Sequence, residues 1–252
     1  MKKLFKYFKS IHYYSIGKQL LNDRIYREGV KKSELEYLKT PNRTAIINYI
    51  ISVLKRDTFY LEIGVRNPED NFNKIKAKNK YSVDPGLEFI SNPVGFQMTS
   101  DLFFEELRQG LILDKDVKFD VIFIDGLHLA DQVDRDIINA LDFIKDDGFI
   151  VLHDCNPPTE WHARETFNYH FSPAGGYWNG TTWKAFMKWR FNADIHSCCI
   201  DSDSGVGILS KNQLIGNSIV SKNLFFEFSE LANNRKEHLN LISFDDLKKI
   251  LE

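Results

Sequence analysis

Thr58-Phe-Tyr-Leu-Glu-Ile-Gly64 is an apolar run that stops on a carboxylate and a glycine, and three more runs in the chain close the same way. They are Tyr81-Ser-Val-Asp84, Phe119-Asp-Val-Ile-Phe-Ile-Asp-Gly126 and Gly148-Phe-Ile-Val-Leu-His-Asp154. Short apolar runs alternating with helical periodicity predict a parallel, doubly wound α/β sheet. In such sheets ligands bind beyond the carboxyl ends of the strands, so Glu62, Asp84, Asp125 and Asp154 should line one crevice. A buried core accounts for the runs. It does not account for all four ending on carboxylates.

Working outward, strands are expected near 58–63, 80–84, 94–98, 119–125 and 148–153, and helices near 70–76, 101–110 and 129–145. In the last helix Val133, Ile137, Leu141 and Ile144 form the apolar stripe, with Asp131, Asp134 and Asp142 facing outward. Thr40-Pro41 reads as an N-cap and first-turn proline ahead of Ile46, Ile50, Val53 and Leu54. Asp194-Ile-His-Ser-Cys-Cys-Ile200 and Gly205-Val-Gly-Ile-Leu209 are close enough to form a hairpin, which puts one antiparallel strand into the sheet. The insertion near 155–192, with Pro157-Pro158, Gly175-Gly176, Trp161, Trp178 and Trp183, reads as a lid over the carboxyl edge. Ser243-Phe-Asp-Asp246 is a capping box opening a last helix. The expectation is a Rossmann-like, seven-stranded mixed sheet over 41–252, preceded by a basic, tyrosine-rich helical extension over 1–40.

The chain is 252 residues long with a net charge of −2, so no global basic field points to nucleic acid or an anionic membrane. Cys155, Cys198 and Cys199 are odd in number, which fits a reducing compartment. No run reaches membrane-spanning length and the start lacks a long apolar stretch, so the expected location is cytoplasmic, with no transmembrane segment.

Glu62-Ile-Gly64 turns off the first strand where glycine lets backbone approach a ligand. Asp84 lies twenty residues beyond Gly64, at a strand end from which a carboxylate reaches ribose hydroxyls. The structural alternative is that Asp84 caps the turn before Pro85-Gly86. Gly64 is followed by Val-Arg-Asn-Pro-Glu-Asp, without the further glycines that cradle a pyrophosphate. That disfavours NAD and FAD and leaves room for a nucleoside without phosphates.

The order Glu-Ile-Gly, Val-Asp-Pro, Phe-Ile-Asp-Gly-x-His and a terminal hairpin resembles class I S-adenosylmethionine-dependent methyltransferases. Phe123-Ile-Asp-Gly-Leu-His128 with Leu152-His-Asp154 is similar to the small-molecule branch of sugar and macrolide O-methyltransferases of the macrocin type. The resemblance covers about 57–154, extends towards 210, and leaves out residues 1–40. It implies that Glu62 and Gly64 hold the methionine end of S-adenosylmethionine, Asp84 the ribose, and Ser100-Asp101 the adenine side. Ser100 and Asp101 are equally ordinary helix N-caps. It further implies Mg²⁺ at Asp125 and Asp154. Cys155 stands where relatives carry a further Asn or Asp, and a thiol is a poor ligand for a hard cation. Asp125 could instead position the substrate or the methionine amine.

His128 occupies the place of a catalytic lysine in the catechol methyltransferases, and His153 is the rival base. An alcohol attacking a sulfonium methyl group must lose its proton, and a base with a pKa near 7 suits that step. Asn156-Pro-Pro-Thr159 resembles the adenine amino-methyltransferase motif, but it follows a different strand and lacks the aromatic fourth residue, so a rigid turn is the better reading. Trp161-His162 and Tyr177-Trp178-Asn179-Gly180 are candidates for a sugar-stacking wall, whereas Trp183, Phe186 and Met187 fit a buried helical stripe. The expected function is methyl transfer to a hydroxyl of a small acceptor such as a sugar, with no nucleic-acid partner. The N-terminal helices would serve a homodimer interface or a lid. The competing readings are an inactive methyltransferase-like binding protein and a nucleic-acid methyltransferase.

Overall fold

The computed structural model describes residues 2–88, 94–167, 170–220 and 223–252. Met1 of the expected extension and residues 168 and 169 of the expected lid lie outside them. Seven strands form one mixed sheet: β1 (Phe59–Ile63), β2 (Asn79–Val83), β3 (Phe119–Ile124), β4 (Ile144–Leu152), β5 (His196–Ile200), β6 (Val206–Ser210) and β7 (Leu241–Ile242). Their order across the sheet is β2-β1-β3-β4-β6-β5-β7. β1 to β4 pair in parallel. β6 runs antiparallel to both β4 and β5, as the short hairpin link requires, and β7 is parallel to β5.

Nine helices flank the sheet or precede it among the described residues: α1 (Lys2–Asn22), α2 (Arg24–Tyr37), α3 (Arg43–Val53), α4 (Ser100–Gln109), α5 (Ala130–Phe143), α6 (Thr182–Arg190), α7 (Phe228–Asn233), α8 (Arg235–His238) and α9 (Phe244–Leu251). The pleat of β3 explains the two layers. Ile122 and Ile124 pack with Phe103, Leu107, Ile137 and Phe186 from α4, α5 and α6. Val121 and Phe123 pack with Ile46, Ile47, Ile50 and Leu247 from α3 and α9. Each fully buried Ile or Phe is worth roughly 1.5–3 kcal/mol of transfer free energy, so both faces are well anchored.

The seventh strand is not where the sequence put it. The stretch 94–98 makes only a single bridge, Phe96 to Val83. Its backbone turns instead to serve β2: Gly95 N–H donates to Ser82 Oγ at 2.8 Å and Phe96 N–H to Ser82 O at 2.9 Å. β7 takes the seventh place at the opposite edge. The helix expected near 70–76 is one 3₁₀ turn, Phe72–Lys74. Asn67 and Asn71 spend their side chains on nearby groups here, Asn67 Oδ1 accepting the Glu69 N–H and Asn71 reaching back to β1, which competes with helix.

Asn42, not Thr40, caps α3, accepting the Ala45 N–H at 3.1 Å, and Thr40-Pro41 lies just before it. Helix α5 ends at Phe143, so Ile144 begins β4, and the buried stripe is Val133, Ile137, Ala140 and Phe143. Asp134 does not simply face solvent: it accepts from Lys188 Nζ at 2.6 Å and Trp189 Nε1 at 2.9 Å, tying α5 to α6. The hairpin and the Ser243/Asp246 capping box stand as expected. Among the described residues no helix is long and apolar enough to cross a membrane.

Asp120 calibrates what a carboxylate does at the other sheet edge. It is fully buried at the amino end of β3, where Arg56 Nε at 2.7 Å, Lys145 Nζ at 2.8 Å and the Phe59 N–H at 2.8 Å satisfy it. That is a closed structural clamp. The carboxyl edge is built differently.

Candidate functional site

At the carboxyl ends of β1 and β3 the two backbones touch. Gly64 has φ +85°, and a Cβ there would lie 2.3 Å from the Asp125 carbonyl oxygen and from Gly126 Cα, so only glycine fits. Asp125 N–H donates to Ile63 O at 2.9 Å and His153 N–H to Ile124 O at 3.2 Å. These bonds align three strand ends and put Asp125, His128, His153 and Asp154 into one cluster.

His128 Nδ1 lies 3.0 Å from Asp154 Oδ2 and its Nε2 lies 3.4 Å from Asp125 Oδ1. His153 Nδ1 lies 3.3 Å from Asp125 Oδ1 and 3.2 Å from Asp154 Oδ2, with Nε2 3.5 Å from Asp203 Oδ1. Asp154 is buried, has φ +61°, and accepts from Asn179 Nδ2 at 2.8 Å. His128 Nδ1 and His153 Nε2 are nevertheless buried without an aligned hydrogen bond. The two carboxylates act on both rings through charge and through these contacts. Burial pulls His128 down, but Asp154 and Asp125 outweigh it and push it up to about 10. His153 is likewise held well above its usual range against its own burial, by Asp154 and Asp125. Burial would raise Asp125 and Asp154, yet the two imidazoles hold both below the usual carboxylate range. Opposite charges at these distances favour the protonated imidazole and the ionised carboxylate in each pair.

Oxygens of Asp125 and Asp154 and a ring nitrogen of His128 lie within 4.8 Å of one another. Two carboxylates and an imidazole with an unaligned nitrogen fit a divalent cation; oxygen donors suit Mg²⁺ or Mn²⁺, and the imidazole admits Zn²⁺ or Fe²⁺ as well. Cys155 adds nothing to this set. Its thiol is buried in the core, where a Cβ on Gly207 would come within 2.6 Å of the sulfur, and burial pushes its pKa well up.

Glu62 sits at the end of β1, 2% exposed. Its Oε2 accepts from Tyr60 Oη at 2.5 Å and Asn71 Nδ2 at 2.9 Å, and Thr44 Oγ1 of α3 fixes Asn71 by donating to its Oδ1 at 2.7 Å. Burial, with Asp125 nearby, raises Glu62 to about 7, against these donors and Arg43. Asp84 at the end of β2 accepts from the Arg66 N–H at 2.9 Å and the Gly86 N–H at 2.7 Å. It thus caps its turn, and each oxygen keeps a second lone pair. Ser100 and Asp101 point towards α5. Ser100 Oγ donates to Asp136 Oδ1 at 2.6 Å, and Asp101 Oδ1 accepts from Gln132 Nε2 at 3.3 Å. Thr99 is the actual N-cap of α4.

The insertion covers the cluster. Trp178 stacks on His128, ring centroids 5.2 Å apart and 8° from parallel. Gly180, φ +62°, lies so close that a Cβ would be 2.1 Å from the His128 carbonyl oxygen. Helix α2 clamps this insertion: Tyr37 stacks on Tyr177 at 3.7 Å, and Ser33 Oγ donates to Pro173 O at 2.8 Å. Buried His162 lies within reach of Ser33, Tyr37 and Thr159 hydroxyls, and burial lowers it to about 4, so it is a neutral structural link. Asn156 is tied to Asp201 and Arg235, as a rigid turn would be. Trp183, Phe186 and Met187 are the buried stripe of α6.

Sequence reasoning missed Arg43 and Asp203, and placed Asn179 in a sugar-stacking wall and not on Asp154. Asp203, φ +47°, lies in the β5–β6 turn; its Oδ2 accepts the Arg43 N–H at 2.6 Å and lies 3.5 Å from Arg43 Nη1. Burial opposes its ionisation, but His153 and Arg43 bring it down to about 2. β6 runs antiparallel to both β4 and β5, so the carboxyl end of β5 brings Asp203 to the same edge. Arg43 carried no periodic signal.

No curated protein matches the chain. Among solved structures it is similar to the O-methyltransferase from Bacillus cereus in complex with SAH, at 14% identity over 75% of this chain and 91% of that one, TM-score 0.43. It is also similar to TomG from Streptomyces achromogenes, an O-methyltransferase involved in tomaymycin synthesis and bound to SAM (11% identity, 75% and 90% covered, TM-score 0.43). A third is the SAH-bound methyltransferase PaMTH1 of Podospora anserina (14% identity, 75% and 88% covered, TM-score 0.41). Residues 62–155, from the last turn of β1 to the first residue past Asp154, match the family model described as a methyltransferase domain.

Proposed function

We propose that the chain is an S-adenosylmethionine-dependent methyltransferase acting on a hydroxyl of a small acceptor, with a sugar as the class to test first. The observation that carries this reading is the Asp125/His128/His153/Asp154 cluster set beside Glu62 and Gly64, within the segment matched by the methyltransferase domain model. Glu62 and Gly64 would receive the methionine end, Asp84 the ribose, and Ser100-Asp101 the adenine side. Residues 1–40 and the insertion near 155–192 would act as a wall and lid on one domain spanning 41–252.

In the transfer step an acceptor oxygen lone pair forms the new C–O bond while the methyl–sulfur bond breaks, its electron pair staying on sulfur. The acceptor's proton must leave, and His128 would take it. At a pKa of about 10 the imidazole already holds a proton and cannot serve. When Asp125 and Asp154 are engaged elsewhere, the charges that hold this proton are withdrawn and His128 returns towards the neutral range, where it accepts one. His153, held between Asp125, Asp154 and Asp203, is the more enclosed of the two and better suited to orienting the carboxylates. A divalent cation at Asp125 and Asp154 would acidify the acceptor hydroxyl. Trp178, parallel to the His128 ring, would shield the reacting groups and form part of the wall against an apolar sugar surface.

Calorimetry with S-adenosylmethionine, with and without Mg²⁺, tests the reading. Binding with a clear heat is expected. A protein that binds NAD instead, or no adenosyl cofactor, would sink it, and cofactor binding without turnover on a panel of free and nucleotide-linked sugars would favour a binding protein.

A further inference from the structure

Arg43 is the first residue of α3, and its side chain is turned into the carboxyl edge of the sheet. Its backbone N–H is anchored on Asp203, which fixes where the guanidinium starts. Nε lies 3.6 Å from Asp125 Oδ2, too far for a hydrogen bond, and is buried with no acceptor among the described residues. Nη1 reaches Asp203 Oδ2 only at 3.5 Å. A guanidinium presents a planar fork that matches a carboxylate in two parallel bonds. Here the fork is held by loose contacts, with one buried donor left over. By comparison, Arg56 at the opposite edge makes bonds of 2.7 Å with all three of its nitrogens. The slack at Arg43 is therefore a local property of this crevice and not a habit of the fold.

Charge says what would fill it. Glu62, Asp125, Asp154 and Asp203 give the crevice four carboxyl groups, while His128 and His153 are each pinned between carboxylates. Among the described residues Arg43 Nε is without a hydrogen-bond partner, as are His128 Nδ1 and His153 Nε2, but of these three groups only the guanidinium presents a planar fork; the acids whose fields it feels are Asp125, Asp203, Asp154 and Glu62. A cation with a free fork next to acids with free lone pairs recognises a zwitterion: the fork takes a carboxylate and the acids take an ammonium. An α-amino acid group is the smallest ligand that presents both.

We propose that Arg43 binds the α-carboxylate of the methionine moiety of the cofactor, with Glu62 facing its ammonium. This rests on the methyltransferase reading above and adds to it a residue outside the matched segment 62–155. Arg43 thereby sets the selectivity for the amino-acid end of the ligand, not for its nucleoside.

The test is calorimetric titration of wild type and Arg43→Met with two probes, S-adenosylhomocysteine and 5′-methylthioadenosine, which shares the nucleoside but lacks the amino-acid group. Loss of a charge-assisted bidentate contact should weaken S-adenosylhomocysteine by roughly ten- to a hundredfold in the variant and leave methylthioadenosine within about twofold. Equal weakening of both probes, or of neither, overturns the assignment. If wild type binds neither probe, the methyltransferase reading itself fails, which is a separate outcome. Should Arg43→Met melt below the assay temperature, Arg43→Lys replaces it. A lysine keeps the charge but loses the fork, and the same selective loss is expected at about five- to tenfold.

Discussion

Glu62→Gln separates the environment of the strand end from its shape. The substitution keeps the size of the side chain, and the amide oxygen can still accept from Tyr60 Oη and Asn71 Nδ2, so the buried donors remain satisfied. What disappears is the ionisable group. In the folded protein its pKa is about 7, set first by burial at 2% exposure and then by Asp125, against an ordinary value of 4.5. Because the folded value is the higher one, the fold favours the protonated carboxyl. That contribution is complete below about 4.5 and is lost as pH rises through about 7. The gap corresponds to on the order of 3 kcal/mol. Urea unfolding of both proteins at pH 4.5 and pH 8.5 reads the effect directly. Wild type should lose roughly 2–3 kcal/mol relative to Glu62→Gln between these values, with the same dependence on urea concentration. Parallel stability profiles would refute the assignment of a raised pKa. A variant that falls behind wild type at high pH would mean that ionised Glu62 is stabilised, not penalised. There is a functional corollary: a ligand ammonium beside Glu62 lowers its pKa, so binding near pH 6.5 should release a proton, visible as a dependence of the calorimetric heat on buffer ionisation enthalpy.

Asp84→Ala should weaken S-adenosylmethionine at least about tenfold in a folded protein, through loss of ribose hydrogen bonds; unchanged affinity would leave Asp84 as a turn cap only, the role its Arg66 and Gly86 contacts already give it. His128→Ala should lower turnover by roughly 10²-fold with little change in cofactor affinity, and full activity would pass the role to His153. Asp154→Asn should fold, since asparagine tolerates the +61° φ at this position, and should raise the metal concentration needed for activity; a chelator-insensitive enzyme would eliminate the metal. Gly180→Ala should disturb the covering insertion more than the sheet, because the new Cβ meets the His128 backbone at 2.1 Å, and rapid proteolysis near 160–180 with an intact core would be the sign.

The parts of this protein that a one-dimensional pattern can carry were legible. An apolar run ending in an acid marks β1, β3 and β4 and the edge they share, because the sheet imposes that order on the chain itself. Elements with too little sequence to hold a pattern were not. β7 is two residues long and gains its place only by pairing Leu241 and Ile242 with Cys199 and Ile200. The segment 94–98 alternates as a strand should, yet Phe96 and Met98 reach the core from a loop, so alternation alone misled. In the site, the strand-end acids could be read from sequence, while their partners could not. Arg43, Asn71, Asn179 and Asp203 come from a helix start, a 3₁₀ turn, the insertion and a hairpin turn, and only the fold brings them together.

The contrast between the two edges of the sheet argues that the carboxyl edge is arranged for an incoming ligand and not for stability. At the amino edge Asp120 is closed by two cations and a backbone amide, all within 2.8 Å. At the carboxyl edge the nearest cation–carboxylate approaches in the cluster run from 3.0 to 3.6 Å, and several buried donors stay unaligned. Asp154 and Asp203 also hold left-handed backbone conformations, which cost of order 1–3 kcal/mol each for residues other than glycine. At Asp203 the conformation belongs to the β5–β6 turn, where Ser204 and Gly205 also have positive φ, and just past Asp154 the Cys155 and Asn156 N–H groups donate to Gly205 O and Ser204 O of that turn at 2.9 and 2.8 Å. What they achieve is direction: both carboxylates are turned back over the strand ends towards His153 and, for Asp154, His128. Turns that aim carboxylates at loosely held partners leave the set to be completed by a further charged group, which is what distinguishes this edge from the closed clamp at Asp120.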